Sequence, residues 1–114
     1  MAVDQGKTTI GLDANVAAAL SYVVGWITGI AFLLMEPANK FVRFHAMQST
    51  IVFLALSVFT IVLQIVIPIL GLLIVVFVVM PASAILWLLL MFKAYQGERF
   101  KLPIAGDMAD QRVQ

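Results

Sequence analysis

Apolar residues fall in long unbroken blocks along this chain, without the alternation that marks a half-buried strand. After a polar opening, residues 14–35 carry no Asp, Glu, Lys or Arg, and the run ends at Glu36-Pro37. From Phe44 to Phe92 charge is again absent, apart from the titratable His45. The first block is close to the ~20 residues that cross a hydrocarbon core. It is longer than a signal peptide's apolar core and reads as a retained span. Asp13 stands at its N-cap position, and Glu36, preceding Pro37, is pushed out of the helical region. As one helix the second block would be roughly 73 Å long, more than twice a bilayer core, so it must turn. A turn at Pro68-Ile69-Leu70-Gly71 leaves two arms that can each cross; a turn at Pro81 leaves a second arm that cannot. The pattern therefore predicts spans of about 14–35, 44–67 and 72–95, with Pro81 as a kink inside the last and Gly97 ending it.

The expected fold is all-α, an integral membrane three-helix bundle. Residues 1–13 read as a flexible N-terminal tail, 14–97 as the transmembrane domain, and 98–114 as a tail lying against the headgroups. With three spans, Lys7 falls on one side with the 68–71 turn, and Lys40, Arg43, Lys93, Arg99, Lys101 and Arg112 fall on the other. The positive side stays in the cytoplasm, which predicts an N-terminus outside and a C-terminus inside. Composition agrees with lipid as the solvent. Hydrophobic residues make up 63% and charged ones 11%, against about 45–50% and about 25% in soluble domains.

Two polar or small-residue faces stand out. Ser21, Gly25 and Gly29 recur every four residues, a groove where another backbone can approach closely; the contact is either a partner's helix or a neighbour in the same chain. Arg43, Thr50, Ser57 and Gln64 recur every seven, with Thr60 beside them, and make a nearly straight stripe. A polar stripe avoids lipid, so it either packs on protein or lines a polar path. Trp26 lies mid-span, where its indole N–H seeks a partner inside the bundle. Glu36, Lys40, Arg43, His45 and Gln48 gather at the expected cytoplasmic interface, as an ion-pair set fixing depth or as a binding patch. His45 and Ser49 are four apart, but no acid orients the histidine and no oxyanion donors accompany the pair, so a hydrolase is not expected.

Cysteine is absent, which removes disulfides, thiolate nucleophiles and iron–sulfur ligation. One histidine without cysteine makes a transition-metal site unexpected. No cofactor and no small-molecule substrate are expected, and a net charge of +1 gives no reason to expect nucleic acid.

Four stretches carry a resemblance: Gly11-Leu12-Asp13, Tyr22 to Gly29 (YVVGWITG), Glu36 with Asn39 to Gln48 (NKFVRFHAMQ), and Gln96 to Asp107 (QGERFKLPIAGD). In them the chain resembles a family of small uncharacterised bacterial and archaeal membrane proteins, distantly related to a component of the chloroplast inner-envelope protein-import translocon. The resemblance implies a helical integral membrane protein without an enzymatic assignment. The expected role is an accessory or structural subunit, or a homo-oligomer, in the cell membrane of a bacterium or archaeon, partnered by lipid and by other membrane subunits or itself. The alternative is a component of a transport or translocation pathway lined by the stripe.

Overall fold

A computed structural model describes residues 6–9 and 11–112. The described residues form helices α1 (Ala14–Leu20), α2 (Trp26–Met35), α3 (Lys40–Val66), α4 (Pro68–Ile74), α5 (Met80–Tyr95) and α6 (Ala105–Arg112). A π-helical turn, Val75–Val79, joins α4 to α5, so that Pro68–Tyr95 is one rod of 28 residues beside the 27 of α3. Both are long and apolar enough to cross a membrane.

The rods make an antiparallel hairpin with a one-residue turn at Ile67, tighter than the expected turn at 68–71. Pro68 takes the first helical position, where its missing N–H costs nothing. Gly71 allows the arms to meet: a Cβ there would lie 2.6 Å from the Leu63 carbonyl oxygen. Pro81 makes its mark as the π-turn. A proline ring clashes with the carbonyl four residues back, and the ladder just before it shifts, with Met80 N–H bonding Val75 O five residues back. Gly97, at φ 82°, closes α5 as expected. Glu98 N–H bonds Lys93 O and Gly97 N–H bonds Ala94 O, a Schellman end.

The expected first span is corrected. Residues 14–35 form two short helices broken over Ser21–Gly25, with Gly25 at φ 60°, ψ −129°, a conformation side chains disfavour. The segment goes in and comes back. Asn15 Nδ2 donates to Tyr95 O (2.8 Å) and Trp87 Nε1 to Tyr22 O (2.6 Å), so α1 descends beside the last two turns of α5. From Gly25 against Phe53, through Gly29 against Ala46 and Thr50, α2 climbs back along α3 until Arg43 reaches Leu33 O. Among the described residues two long rods and this broken segment are present, and a three-span bundle is not confirmed. Residues 7–9, the 36–40 loop and the C-terminal segment share one end of the molecule.

Of the expected flexible tail 1–13, residues 1–5 and 10 lie outside the described residues, and the rest is packed. Lys7 bridges Asp13, and Ala14 N–H bonds Gly6 O at 2.8 Å. Asp13 occupies the N-cap position without a side-chain cap; its carboxylate meets Lys7 Nζ instead, in an exposed pair. Of the expected tail 98–114, residues 113–114 lie outside the described residues, and α6 packs on α3 through Ala109 against Phe44. The core thus sits in a head made of α1, α2, α6, the first half of α3 and the last turns of α5. Beyond Phe53 the hairpin stands bare, with Val58, Ile65, Ile69, Phe77 and Ile85 all more than half exposed.

Candidate functional site

Three places concentrate polar groups: a sealed network in the head, a carboxylate cluster at its edge, and a groove along the hairpin. In the head, Tyr22, His45, Gln48 and Ser49 are fully buried. His45 Nε2 lies 2.8 Å from Glu98 O, which can only accept, so Nε2 carries the proton. Nδ1 then accepts from the Tyr22 hydroxyl at 2.7 Å. That hydroxyl accepts in turn from Gln48 Nε2 at 3.0 Å, whose second hydrogen goes to Phe100 O at 2.9 Å. Leu102 N–H completes the set by donating to Gln48 Oε1 at 2.9 Å. Each side-chain polar atom of Tyr22, His45 and Gln48 has a partner, and the direction of each bond follows from the neutral imidazole. The network ties the break between α1 and α2 to α3 and to the backbone of 98–102. Ser49 Oγ donates to Gly25 O (2.8 Å), and Thr28 Oγ1 accepts from Val24 N–H (3.1 Å). Together with Trp87 they satisfy backbone groups freed where the helix breaks.

At the edge of the head a second cluster surrounds Glu36, which has no accessible surface. Its carboxylate accepts from Thr9 N–H (2.6 Å), Thr9 Oγ1 (2.8 Å), Asn39 N–H (2.8 Å) and Ala38 N–H (3.1 Å). Burial pushes its pKa up, and the four hydrogen bonds outweigh that and hold it below the usual carboxylate range. Arg43 donates to Leu33 O and Glu36 O, capping the end of α2. Lys40 contributes its carbonyl, which accepts from Arg99 at 3.1 Å. The expected interface set of Glu36, Lys40, Arg43, His45 and Gln48 is thus split between these two clusters, and His45 and Gln48 face inward. Tyr22 and Trp87 were not singled out for this role. Their signal was a hydroxyl and an indole N–H inside apolar runs, groups that seek partners when buried.

The groove expected on the first segment is filled by this chain's own α3. A Cβ on Gly29 would meet Thr50 Oγ1 at 2.6 Å and Ala46 O at 2.8 Å; one on Gly25 would meet Phe53 Cβ at 3.1 Å. Ser21 is buried and bonds Ala18 O. The stripe on α3 divides as well. Arg43 and Thr50 face α2, and Thr50 Oγ1 bonds Ala46 O. Ser57 and Thr60 line an open groove of about 650 Å³, with Gly25, Trp26, Val79 and Ser83. Gln64 sits near the turn, its Nε2 buried and without an acceptor, 3.5 Å from where a Gly71 Cβ would lie. Among the described residues no group of three or more His, Cys, Asp or Glu comes together to hold a metal ion.

Comparison with known proteins gives the family. Residues 7–109 match the model of the Magnetosome magnetite crystal formation protein family. A UPF0132 membrane protein of Methanocaldococcus jannaschii is 50% identical over 113 residues, 96% of each chain. A UPF0132 membrane protein of Archaeoglobus fulgidus is 52% identical over 102 residues, 90% of this chain and 97% of the relative. No solved structure matches. With relatives that are membrane proteins and two rods able to cross a bilayer, the chain is a small membrane protein. It belongs to the family described as the magnetosome magnetite crystal formation proteins, together with the archaeal UPF0132 membrane proteins.

Proposed function

We propose that this chain is a non-enzymatic structural subunit that crosses the cytoplasmic membrane twice, through α3 and the α4–α5 rod, and assembles with further copies of itself. The carrying observation is the groove on the bare half of the hairpin. Ser57, Thr60 and Ser83 line it at a depth where polar groups facing lipid are costly. No described element of the chain lies across it, and small residues there let a second helix approach closely. The occupant we assign is the hairpin of another copy. All seven Lys and Arg residues fall at the head end or in the segments leading to it, which supports a cytoplasmic head and an external turn at Ile67. The family description names magnetosome magnetite crystal formation; what it brings to this chain is a membrane-associated role.

The test is native mass spectrometry after gentle extraction. Wild type is expected as a multiple of one chain, and Ser57→Leu with Ser83→Leu as a single chain that keeps its thermal transition. A wild-type mass of one chain overturns self-assembly; other proteins in the particle would make it an accessory subunit. Single cysteines at Lys7, Ile69 and Gln111 test the topology, since native cysteine is absent. Positions 7 and 111 are expected to label from the cytoplasmic face and 69 from outside. Opposite labelling of 7 and 111 would restore three crossings.

The buried, unpartnered Gln64 amide favours a second reading, a polar path at Ser57, Thr60 and Gln64. The translocon relationship expected from the sequence belongs to this reading; the comparisons supply the family alone. It requires water-soluble reagents to reach cysteines at those positions while sparing Val58 and Ile61, and uniform protection would remove it.

A further inference from the structure

The chain's cross-section changes abruptly along its long axis. Near the head, α1, α2 and α6 surround the first half of α3 and the last turns of α5. The break between the first two helices touches Phe53 and Trp87 and borders the groove lined by Ser57, Thr60, Val79 and Ser83; from there to the turn at Ile67 only the two hairpin arms remain. The long dimension is 47 Å and the others 26 and 22 Å. Two helices side by side are only about 10–12 Å thick in one of those directions, so the head sets the width. The ten residues of α2 rise about 15 Å, roughly half of a ~30 Å hydrocarbon core. In a bilayer the inserted pair therefore fills one leaflet and leaves the other to the hairpin.

From this we propose that the protein is a membrane wedge: it partitions to bilayers whose head-side leaflet is convex. The inference rests on the two-crossing reading above. The wedge is built to hold its shape. Gly29 seats α2 against the α3 backbone, and the Tyr22–His45–Gln48 network pins the break between α1 and α2 to both α3 and the C-terminal segment. The narrow half has no such fastening, but it needs none, because a helix in lipid satisfies its backbone within itself. A rigid body that is broad in one leaflet and slender in the other displaces more lipid on the broad side. Curvature that makes the broad side convex relieves the mismatch, as local thinning of the bilayer relieves a mismatch in length. With the head in the cytoplasm, the favoured geometry is an inward fold of the membrane or a vesicle inside the cell.

The experiment uses the full wild-type chain reconstituted at low density into phosphatidylcholine/phosphatidylglycerol vesicles of two radii, about 25 and about 100 nm, a range in which curvature-sensitive binding is resolved. Single cysteines at Lys7 and Ile69, labelled with membrane-impermeant dyes, report which way each molecule faces. Head-out molecules are expected to be about two- to threefold denser per lipid on the small vesicles, equivalent to about 0.4–0.6 kcal/mol. Head-in molecules are expected to be depleted there. The two orientations share one protein and one lipid composition, so no variant has to fold. Equal densities in both orientations, with Lys7 and Ile69 on opposite faces, would overturn the wedge and leave the two-crossing topology standing. Lys7 and Ile69 on the same face would overturn that topology and the wedge with it.

Discussion

Replacing Glu36 by Gln tests whether the head is held together by a buried carboxylate. Glu36 is sealed from solvent, and its two oxygens receive four hydrogen bonds that join the 7–9 segment to the 36–39 loop. In Gln an NH2 takes the place of one oxygen. With the NH2 toward Ala38 and Asn39, two backbone N–H groups lose their acceptor. Turned toward Thr9, it leaves Thr9 N–H facing a donor while the Thr9 hydroxyl turns to accept from it, and either way the remaining bonds lose the charge. Hydrogen bonds to charged groups contribute about 1.5–3 kcal/mol each. The cluster lies just beneath the surface, with exposed Thr9 as its cover, so water can reach the freed donors and the lower end applies. About 2–3 kcal/mol in total is expected, read as a lower thermal midpoint in mild detergent. The acid dependence carries the sharper test. The folded carboxyl is held below its ordinary value of 4.5, so its stabilisation is fully present above that value and is lost as pH falls through the folded one. As pH is lowered from 4.5, wild type is expected to converge on Glu36→Gln, whose midpoint falls less steeply because only the other carboxylates titrate. A constant gap between the two proteins across that window would show that the hydrogen bonds do not act through the charge. No gap at pH 7 would refute the cluster's structural role.

Three further outcomes follow from close contacts. Gly29→Ala places a methyl 2.8 Å from a backbone oxygen of α3, so α2 must shift, at a cost of about 1–3 kcal/mol in unfolding experiments; an unchanged midpoint would mean that the helices are not seated as described. Gly71→Ala meets Leu63 O at 2.6 Å and is expected to open the turn, with amide exchange rising around residues 63–71 while the amides of 42–49 keep their protection. Tyr22→Phe removes the donor to His45 Nδ1 and the acceptor of Gln48 Nε2; about 2 kcal/mol is expected from two buried groups left unpartnered, and amide exchange at Leu102 should rise with it.

The hairpin was legible in the sequence because its cause is local. An uncharged run twice too long for a bilayer, with Pro68 and Gly71 near its midpoint, leaves one place to turn. The end of α5 was legible for the same reason, since Gly97 supplies the positive φ a Schellman end requires. Hydropathy counts alone could not reveal the break at Ser21–Gly25. A pair of half-length helices and one full-length helix bury the same residues, and Gly25 fits a packing groove as readily as it fits a turn. The difference lies in polar groups that are far apart in sequence: Ser49 for Gly25 O, Trp87 for Tyr22 O, and Glu98 O for His45. Counting basic residues inherited the same error, since Lys7 was assigned to the far side by counting spans. Of the candidate residues, Gly29 and Thr50 meet each other within the chain, whereas Ser57, its hydroxyl bonded back to Phe53 O, and Thr60 line the open groove, and Gln64 Nε2 has no acceptor.

The two halves of the molecule are held by different forces, and this determines what each can do. The head is fastened by bonds between distant segments, Thr9 to Glu36, Asn15 to Tyr95 and Gln48 to Phe100. Each is specific in geometry and costly to leave unmade once buried. Past Phe53 the arms meet through apolar side chains that lipid would contact about as well, so little energy fixes their spacing there. A partner could therefore rearrange the bare half without disturbing the head. The reverse does not hold, because both arms emerge from it. The joint between the halves is small: Gly25 against Phe53 on one arm, and the Trp87 indole on Tyr22 O on the other. Tyr22 belongs to that joint through its carbonyl and to the head network through its hydroxyl. It is thus the residue through which a change in hairpin spacing would reach His45 and the C-terminal segment.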